Sequence, residues 1–169
     1  APRPPSTGAP RMSDSPETLI PAGDPRVTET PVTETTVVVR SSELDSFGHV
    51  NHAVFLNYFE HARFEALEAA GFSWSVLEER GWGIFVVRIE VDYLAEARRG
   101  DHLVVRTHAE SFRRTSMLLV QSMTRREADG GTTVVSEARV TAVWVGPGRR
   151  PMRVPDEVRK GLTTPRLHP

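Results

Sequence analysis

The chain contains no cysteine. That excludes a disulfide framework, a thiolate nucleophile and any Cys-based zinc site, and it is compatible with a reducing compartment. Net charge is nearly absent as well: 21 Lys and Arg stand against 22 Asp and Glu, for a formal -1. Nothing global therefore draws the chain to nucleic acid or to an anionic membrane, and any polyanion must be held by a local patch. Long apolar runs are missing; none approaches the ~20 residues of a membrane span. The N-terminal residues carry no apolar h-region of a secretory signal. With 169 residues, one domain's worth, these absences set the expectation of a soluble cytoplasmic protein with one real core.

What is present falls into three parts. Residues 1–31 are rich in Pro, Ser, Thr and Gly with no hydrophobic period, and are expected to be a disordered tail; Met12 within it is a candidate native start. A folded domain is expected over 32–163, followed by a short tail over 164–169. No internal repeat is visible.

The stretch that organises the domain runs from Asp45 to Ala70. It opens with Asp45-Ser46-Phe47-Gly48-His49-Val50-Asn51-His52 and continues without a breaker into an apolar helix. Phe55, Tyr58, Phe59, Ala62, Ala66, Ala69 and Ala70 fall on one stripe at helical spacing, with Asn57, His61, Glu65 and Glu68 opposite. Phe64 lies off the stripe, so the helix is expected to be covered on more than one side. Gly71 supplies the stop. Glu60 and Arg63, spaced i,i+3, are expected to pair.

Around this helix the pattern is β. Thr36 to Arg40 is a short β-branched run, expected to be a strand. Ser73 is suited to cap a short helical turn ending before Gly81. From Ile84 to Tyr93 the period is two, with Phe85, Val87, Ile89, Val91 and Tyr93 on one face. Further strands are expected at Leu103–Ala109 and at Met117–Met123, the second evenly apolar and hence central. Asp129-Gly130-Gly131 reads as a hairpin turn. A last strand places Val134, Ala138, Val140, Ala142 and Trp144 on one face. Pro155 to Leu162 reads as a terminal helix with Pro155 in its first turn. The order gives an α+β fold: a curved antiparallel sheet of about five strands wrapped around one long central helix.

Asp45-x-x-Gly48-His49-Val50-Asn51-His52, continued by Phe55-Leu56-x-Tyr58-x-Glu60-x-Ala62-Arg63, resembles the hot-dog-fold acyl-CoA thioesterases of the 4-hydroxybenzoyl-CoA thioesterase family. Asp92-Tyr93-Leu94 and Arg99-Gly100-Asp101-x-Leu103-x-Val105 resemble that family's second segment. The similarity covers roughly Thr35 to Val145. The family often has proline where this chain has Glu96, a departure that bears on the bend and not on the chemistry. The related acyl-carrier-protein thioesterases tend to carry an amide where this chain has Phe47, which favours the CoA branch and an apolar pocket wall.

The resemblance implies hydrolysis of an acyl- or aroyl-CoA thioester, with CoA as part of the substrate and no cofactor. Asp45, His49 and His52 are close enough in sequence to suggest a metal site, but the His pair begins in a loop and no further ligand pattern appears, so no metal is expected. Such a reaction needs an attacking water or carboxylate, a donor for the developing oxyanion and a grip on the thiol-bearing group. Asp45, the one acid in the loop, suits general base or nucleophile; its bland reading is an Asx-type turn. The main-chain N–H near His52, at the positive end of the helix, is the implied oxyanion donor. His49 either contacts the thioester or holds the turn, and Asn51 either orients Asp45 or simply caps the helix. Phe47 and Tyr58 are candidate pocket wall. Arg113 and Arg114, beside Thr115 and Ser116, suit the CoA phosphates, or else mark a solvated turn. By resemblance a homodimer or a dimer of dimers is expected, joined at sheet edges with the site between protomers. An acyl-carrier-protein donor and a non-catalytic acyl-CoA-binding module are the alternatives; a hot-dog dehydratase fits the first motif poorly. No Gly-x-Ser-x-Gly elbow is present for a serine nucleophile.

Overall fold

The computed structural model describes residues 31–163. The expected tails over 1–31, Met12 included, and over 164–169 lie outside the described residues, apart from Pro31. The elements in order are β1 (Thr33–Val38), a 3-10 turn (Ser41–Glu43), α1 (His52–Ala69), α2 (Trp74–Glu79), β2 (Gly83–Tyr93), β3 (His102–Phe112), β4 (Ser116–Arg126), β5 (Thr132–Val145), a second 3-10 turn (Pro147–Arg149) and α3 (Asp156–Thr163). The five strands make one sheet in the order β1-β3-β4-β5-β2, every neighbouring pair antiparallel. The sheet wraps α1, and the expected hot-dog architecture is borne out.

The apolar periodicity explains the packing. Phe55, Tyr58, Phe59, Ala62 and Ala66 of α1 are buried as the stripe requires, and Leu67 joins them while Ala69 faces out. Leu103, Val105, Met123, Val140 and Trp144 meet them from the sheet, all completely buried. The helix stops where Gly71 takes φ 92°, with Gly71 N–H donating to Glu68 O and Phe72 N–H to Leu67 O, both at 2.8 Å, as a Schellman cap requires. Phe64 is covered in part by Trp74, edge-on at 6.0 Å. The α3 helix approaches this end so closely that a Cβ on Gly161 would lie 3.0 Å from the Ala70 carbonyl.

Several expectations shift on contact with the structure. The first strand starts at Thr33, because Thr33 and Glu34 pair with Thr107 and Arg106. Ser73 occupies the cap position of α2, but its hydroxyl meets Ser75 Oγ instead of a helix N–H. Pro155 sits one residue before α3, its carbonyl accepting the Arg159 N–H at 3.1 Å. Register slips at three places, in β3 between Ala109 and Ser111 and in β2 and β5, where the slip overturns the expected alternation. In β2 the register slips between Val86 and Arg88, so Phe85 and Val87 are exposed, while Ile84 before the bulge and Ile89 and Val91 after it pack on the core. In β5 the slip leaves Val135 in the core in place of Val134.

The expected Glu60–Arg63 pair is not formed. Arg63 Nη1 instead donates to Gln121 Oε1 at 3.0 Å, and Gln121 Nε2 donates to Phe59 O at 3.0 Å and Thr107 Oγ1 at 2.9 Å. Gln121 is completely buried on the central strand. Burial pulls the Arg63 guanidinium below its usual value, with Glu60 pulling the other way.

Candidate active site

The Asp45 loop is a miniature hairpin. Leu44 and Val50 form an antiparallel bridge, the Asp45 N–H donates to His49 O at 2.8 Å, and Gly48 turns the corner at φ 80°. Only glycine adopts that conformation without strain. Outside the turn, Asn51 N–H donates to Glu43 O at 2.9 Å and Val50 N–H to Ala97 O at 2.8 Å. The loop is thus fastened to the chain before it and to the β2–β3 connection beside it.

Within that frame the half-buried Asp45 carboxylate takes two main-chain donors on one oxygen: Phe47 N–H at 2.8 Å and His49 N–H at 3.2 Å, both to Oδ1. This is the Asx-type geometry, and it aims the carboxylate while Oδ2 takes part in neither bond. Asn51 caps α1, its Oδ1 accepting the Ala53 N–H at 2.9 Å, so the amide is not among the groups that orient Asp45. The Val54 N–H donates to Asn51 O at 2.8 Å, whereas the His52 N–H has no acceptor among the described residues. A free N–H at the positive end of an 18-residue helix is suited to a developing negative charge. The His52 carbonyl accepts the Tyr93 hydroxyl at 3.0 Å, which fixes the helix start against β2.

Asp45, His49, Asn51 and His52 are therefore brought together on one loop and the helix it feeds. Phe47 stands at the loop tip, 82% exposed. Tyr58 is buried, and its hydroxyl donates to Glu43 Oε2 at 2.6 Å, which makes it a core phenol and not an open wall. Arg113 and Arg114 are exposed on the β3–β4 turn, whose backbone is fixed by Arg113 N–H to Ser116 O at 2.8 Å and Val154 N–H to Arg114 O at 2.9 Å. The whole length of β3 (His102–Phe112), 11 residues at about 3.3 Å each, runs between the connection that fastens the Asp45 loop and that turn. Within one chain the arginines and the carboxylate are not joined.

Two carboxylates at the loop were missed by sequence reasoning. Glu43 lies beneath it: burial pushes its carboxyl up, but the Tyr58 hydroxyl, the Arg40 N–H and the Arg40 guanidinium outweigh that and hold it below the usual range. Burial and the Glu43 bond push the Tyr58 phenol above its ordinary value. Glu96, the residue noted where a proline is usual, places Oε2 2.8 Å from His49 Nε2. An acid two residues before Asp45 was a visible signal for the first; the second is 47 positions from its partner, and no local pattern points to it. A groove of about 840 Å³ begins at Glu96 and runs past Arg98, His102 and Arg125 to Glu127. Its arginines are largely spent on neighbours, Arg125 on Glu127 at 2.9 Å and Arg98 on Glu96 at 2.8 Å.

Residues 39–162 match the thioesterase-like superfamily. The chain belongs to that superfamily. Among its relatives, the acyl-CoA thioester hydrolase YbgC of Escherichia coli O6:H1 is 32% identical over 123 residues, which is 72% of this chain and 89% of that protein. The chloroplastic acyl-acyl carrier protein thioesterase ATL2 of Arabidopsis thaliana is 32% identical over 121 residues, 72% of this chain and 63% of the relative. This chain thus spans less than two thirds of the length of ATL2, and likewise 65% of the related ATL3. The solved 4-hydroxybenzoyl CoA thioesterase of Pseudomonas sp. strain CBS-3 shares the fold, with a TM-score of 0.72 at 20% identity over 78% of this chain and 99% of that one. In this superfamily member no described helix is long and apolar enough to cross a membrane.

Proposed function

We propose that the chain is an acyl-CoA thioesterase, hydrolysing an acyl- or aroyl-CoA to the free acid and CoA with Asp45 as the reacting carboxylate. The observation that carries this is the Asp45 carboxylate, aimed by two main-chain N–H groups, on a loop that ends at the His52 N–H of α1, for which no described residue is an acceptor. Oδ2 attacks the thioester carbon or takes the proton of an attacking water. The charge that develops on the carbonyl oxygen is met by the His52 N–H, a kind of donor whose loss typically costs ~3 kcal/mol of barrier. The thiolate of CoA then leaves; on the first route a water hydrolyses the Asp45 acyl anhydride left behind, on the second the attacking water has already become the acid's hydroxyl, and in both the acid is released with Asp45 regenerated. YbgC, named as an acyl-CoA thioester hydrolase, supports the CoA donor. ATL2 and ATL3, named as acyl-acyl carrier protein thioesterases, make an acyl-carrier-protein donor the second reading.

The reading includes a homodimer. β2 is an edge strand, and Phe85, Val86 and Val87 on it are exposed, a liability that pairing with a second copy removes. Dimerisation also gives Arg113 and Arg114 of one protomer a way to serve the loop of the other, where they would hold the CoA phosphates. The test is thiol release from a panel of aliphatic and aromatic acyl-CoAs, with acyl-carrier-protein thioesters alongside. Asp45→Asn is expected to lower turnover by about a thousandfold; unchanged turnover in that variant would remove the mechanism.

A further inference from the structure

Glu96 lies in the connection between β2 and β3, and its carboxylate is held from both ends. Oε1 accepts Arg98 Nε at 2.9 Å and Nη2 at 2.8 Å, and Oε2 lies 2.8 Å from His49 Nε2. The backbone there is fixed too: Arg125 Nη1 donates to Glu96 O at 2.6 Å, and Val50 N–H donates to the next carbonyl, Ala97 O, at 2.8 Å. A frame, and not a free rotor, presents the carboxylate to the imidazole. His49 in turn donates its own N–H to Asp45 Oδ1 at 3.2 Å and accepts the Asp45 N–H at 2.8 Å. One residue thereby joins Glu96, through its ring, to Asp45, through its backbone.

We propose that Glu96 is a positioning residue for thioester hydrolysis, fixing His49 as the tautomer protonated on Nε2 and so holding the backbone that aims Asp45. This rests on the reading of Asp45 given above. A neutral imidazole has one donor nitrogen and one acceptor nitrogen, and the partner of one decides the state of the other. An ionised carboxylate only accepts, so in the neutral ring a hydrogen bond across that 2.8 Å contact requires the hydrogen on Nε2 and leaves the lone pair on Nδ1. The charged groups around His49 are Glu96 and Arg98 on the connection, Arg125 on β4 and Asp45 in its own loop. The Arg98 hydrogen bond and the charges of Arg98 and Arg125 hold the Glu96 carboxyl below the usual range, so it remains an acceptor.

The experiment reads the ring directly. In a long-range proton–nitrogen spectrum of the uniformly labelled full chain, with the His49 signals assigned by their loss in His49→Asn, the wild type is expected to show the Nε2–H tautomer. Glu96→Ala is expected to give a tautomer mixture and to lower kcat on acyl-CoA by about tenfold with KM unchanged, the size of one lost charge-assisted bond. Glu96→Gln keeps an acceptor oxygen but not the charge; it is expected to recover most of kcat and the Nε2–H tautomer. A wild-type tautomer and kcat in Glu96→Ala would overturn the inference. Asp45→Asn separates the two ideas: if it keeps full turnover the Asp45 reading falls, while the spectrum still decides whether Glu96 governs His49.

Discussion

Replacing Gln121 with leucine tests whether the polar knot under α1 holds the helix to the sheet. Leucine matches the volume closely enough that little cavity forms, so the loss is chiefly of hydrogen bonds. The bond from the Arg63 guanidinium is charge-assisted, and its loss leaves a half-buried cation without that partner; those to Phe59 O and Thr107 Oγ1 are neutral. Taking about 2 kcal/mol for the first and about 1 kcal/mol for each of the others gives a loss of about 4 kcal/mol. For a domain of this size that is a fall in Tm of about 12 °C. Urea unfolding followed by circular dichroism, with calorimetry for Tm, measures both numbers. Thr107→Val in the same background adds less than it does alone, because its partner has already gone. A Tm within about 3 °C of wild type in Gln121→Leu would refute the reasoning, since it would mean that Arg63 finds water or Glu60 at no cost.

Three further outcomes follow from the packing and the charges. Tyr58→Phe removes the hydroxyl on Glu43 and is expected to cost about 1.5 kcal/mol at pH 7. Because the folded Glu43 carboxyl is depressed from 4.5, its stabilisation is present above that pH and is lost as pH falls through the folded value, so variant and wild type converge in acid; acid titration of unfolding checks this. Gly161→Ala gains about 1 kcal/mol of helix propensity but presses a methyl on the Ala70 carbonyl, at an overpacking cost of about 2 kcal/mol, and a net loss of stability is expected by denaturant melting. Val87→Lys places a charge at the bulge of the exposed edge and is expected to convert a dimer to monomer by size exclusion with light scattering; a dimer that persists would place the interface elsewhere.

The central helix, the succession of strands along the chain and the polar loop were legible because each is written locally, whereas the expected hairpin-like link from β2 to β3 is not formed and β2 pairs with β5 instead. Aromatic and alanine residues recur at helical spacing from Phe55 to Ala66, and the turn at Asp129-Gly130-Gly131 carries its own chemistry. The misplacements have equally local causes. An extra residue at Val87 and another at Val135 reverse the faces of strands whose alternation looks continuous, and nothing in composition marks a bulge. Arg63 passes over a partner one turn away because a buried amide from the central strand is nearer to its head group, a choice made by tertiary packing. Glu96 and His49 meet only because the connection folds back over the loop. Contacts of that kind have no period to read.

The grip on the loop is almost wholly main chain: Asp45 to His49, Asn51 to Glu43, Val50 to Ala97, and two amides on the carboxylate. Ser46 and Phe47 contribute nothing to it beyond the Phe47 amide, and both side chains stand exposed. Mutational drift at those two positions is therefore cheap. A lineage carrying this scaffold can exchange the tip for another shape while the Asp45 carboxylate keeps its aim.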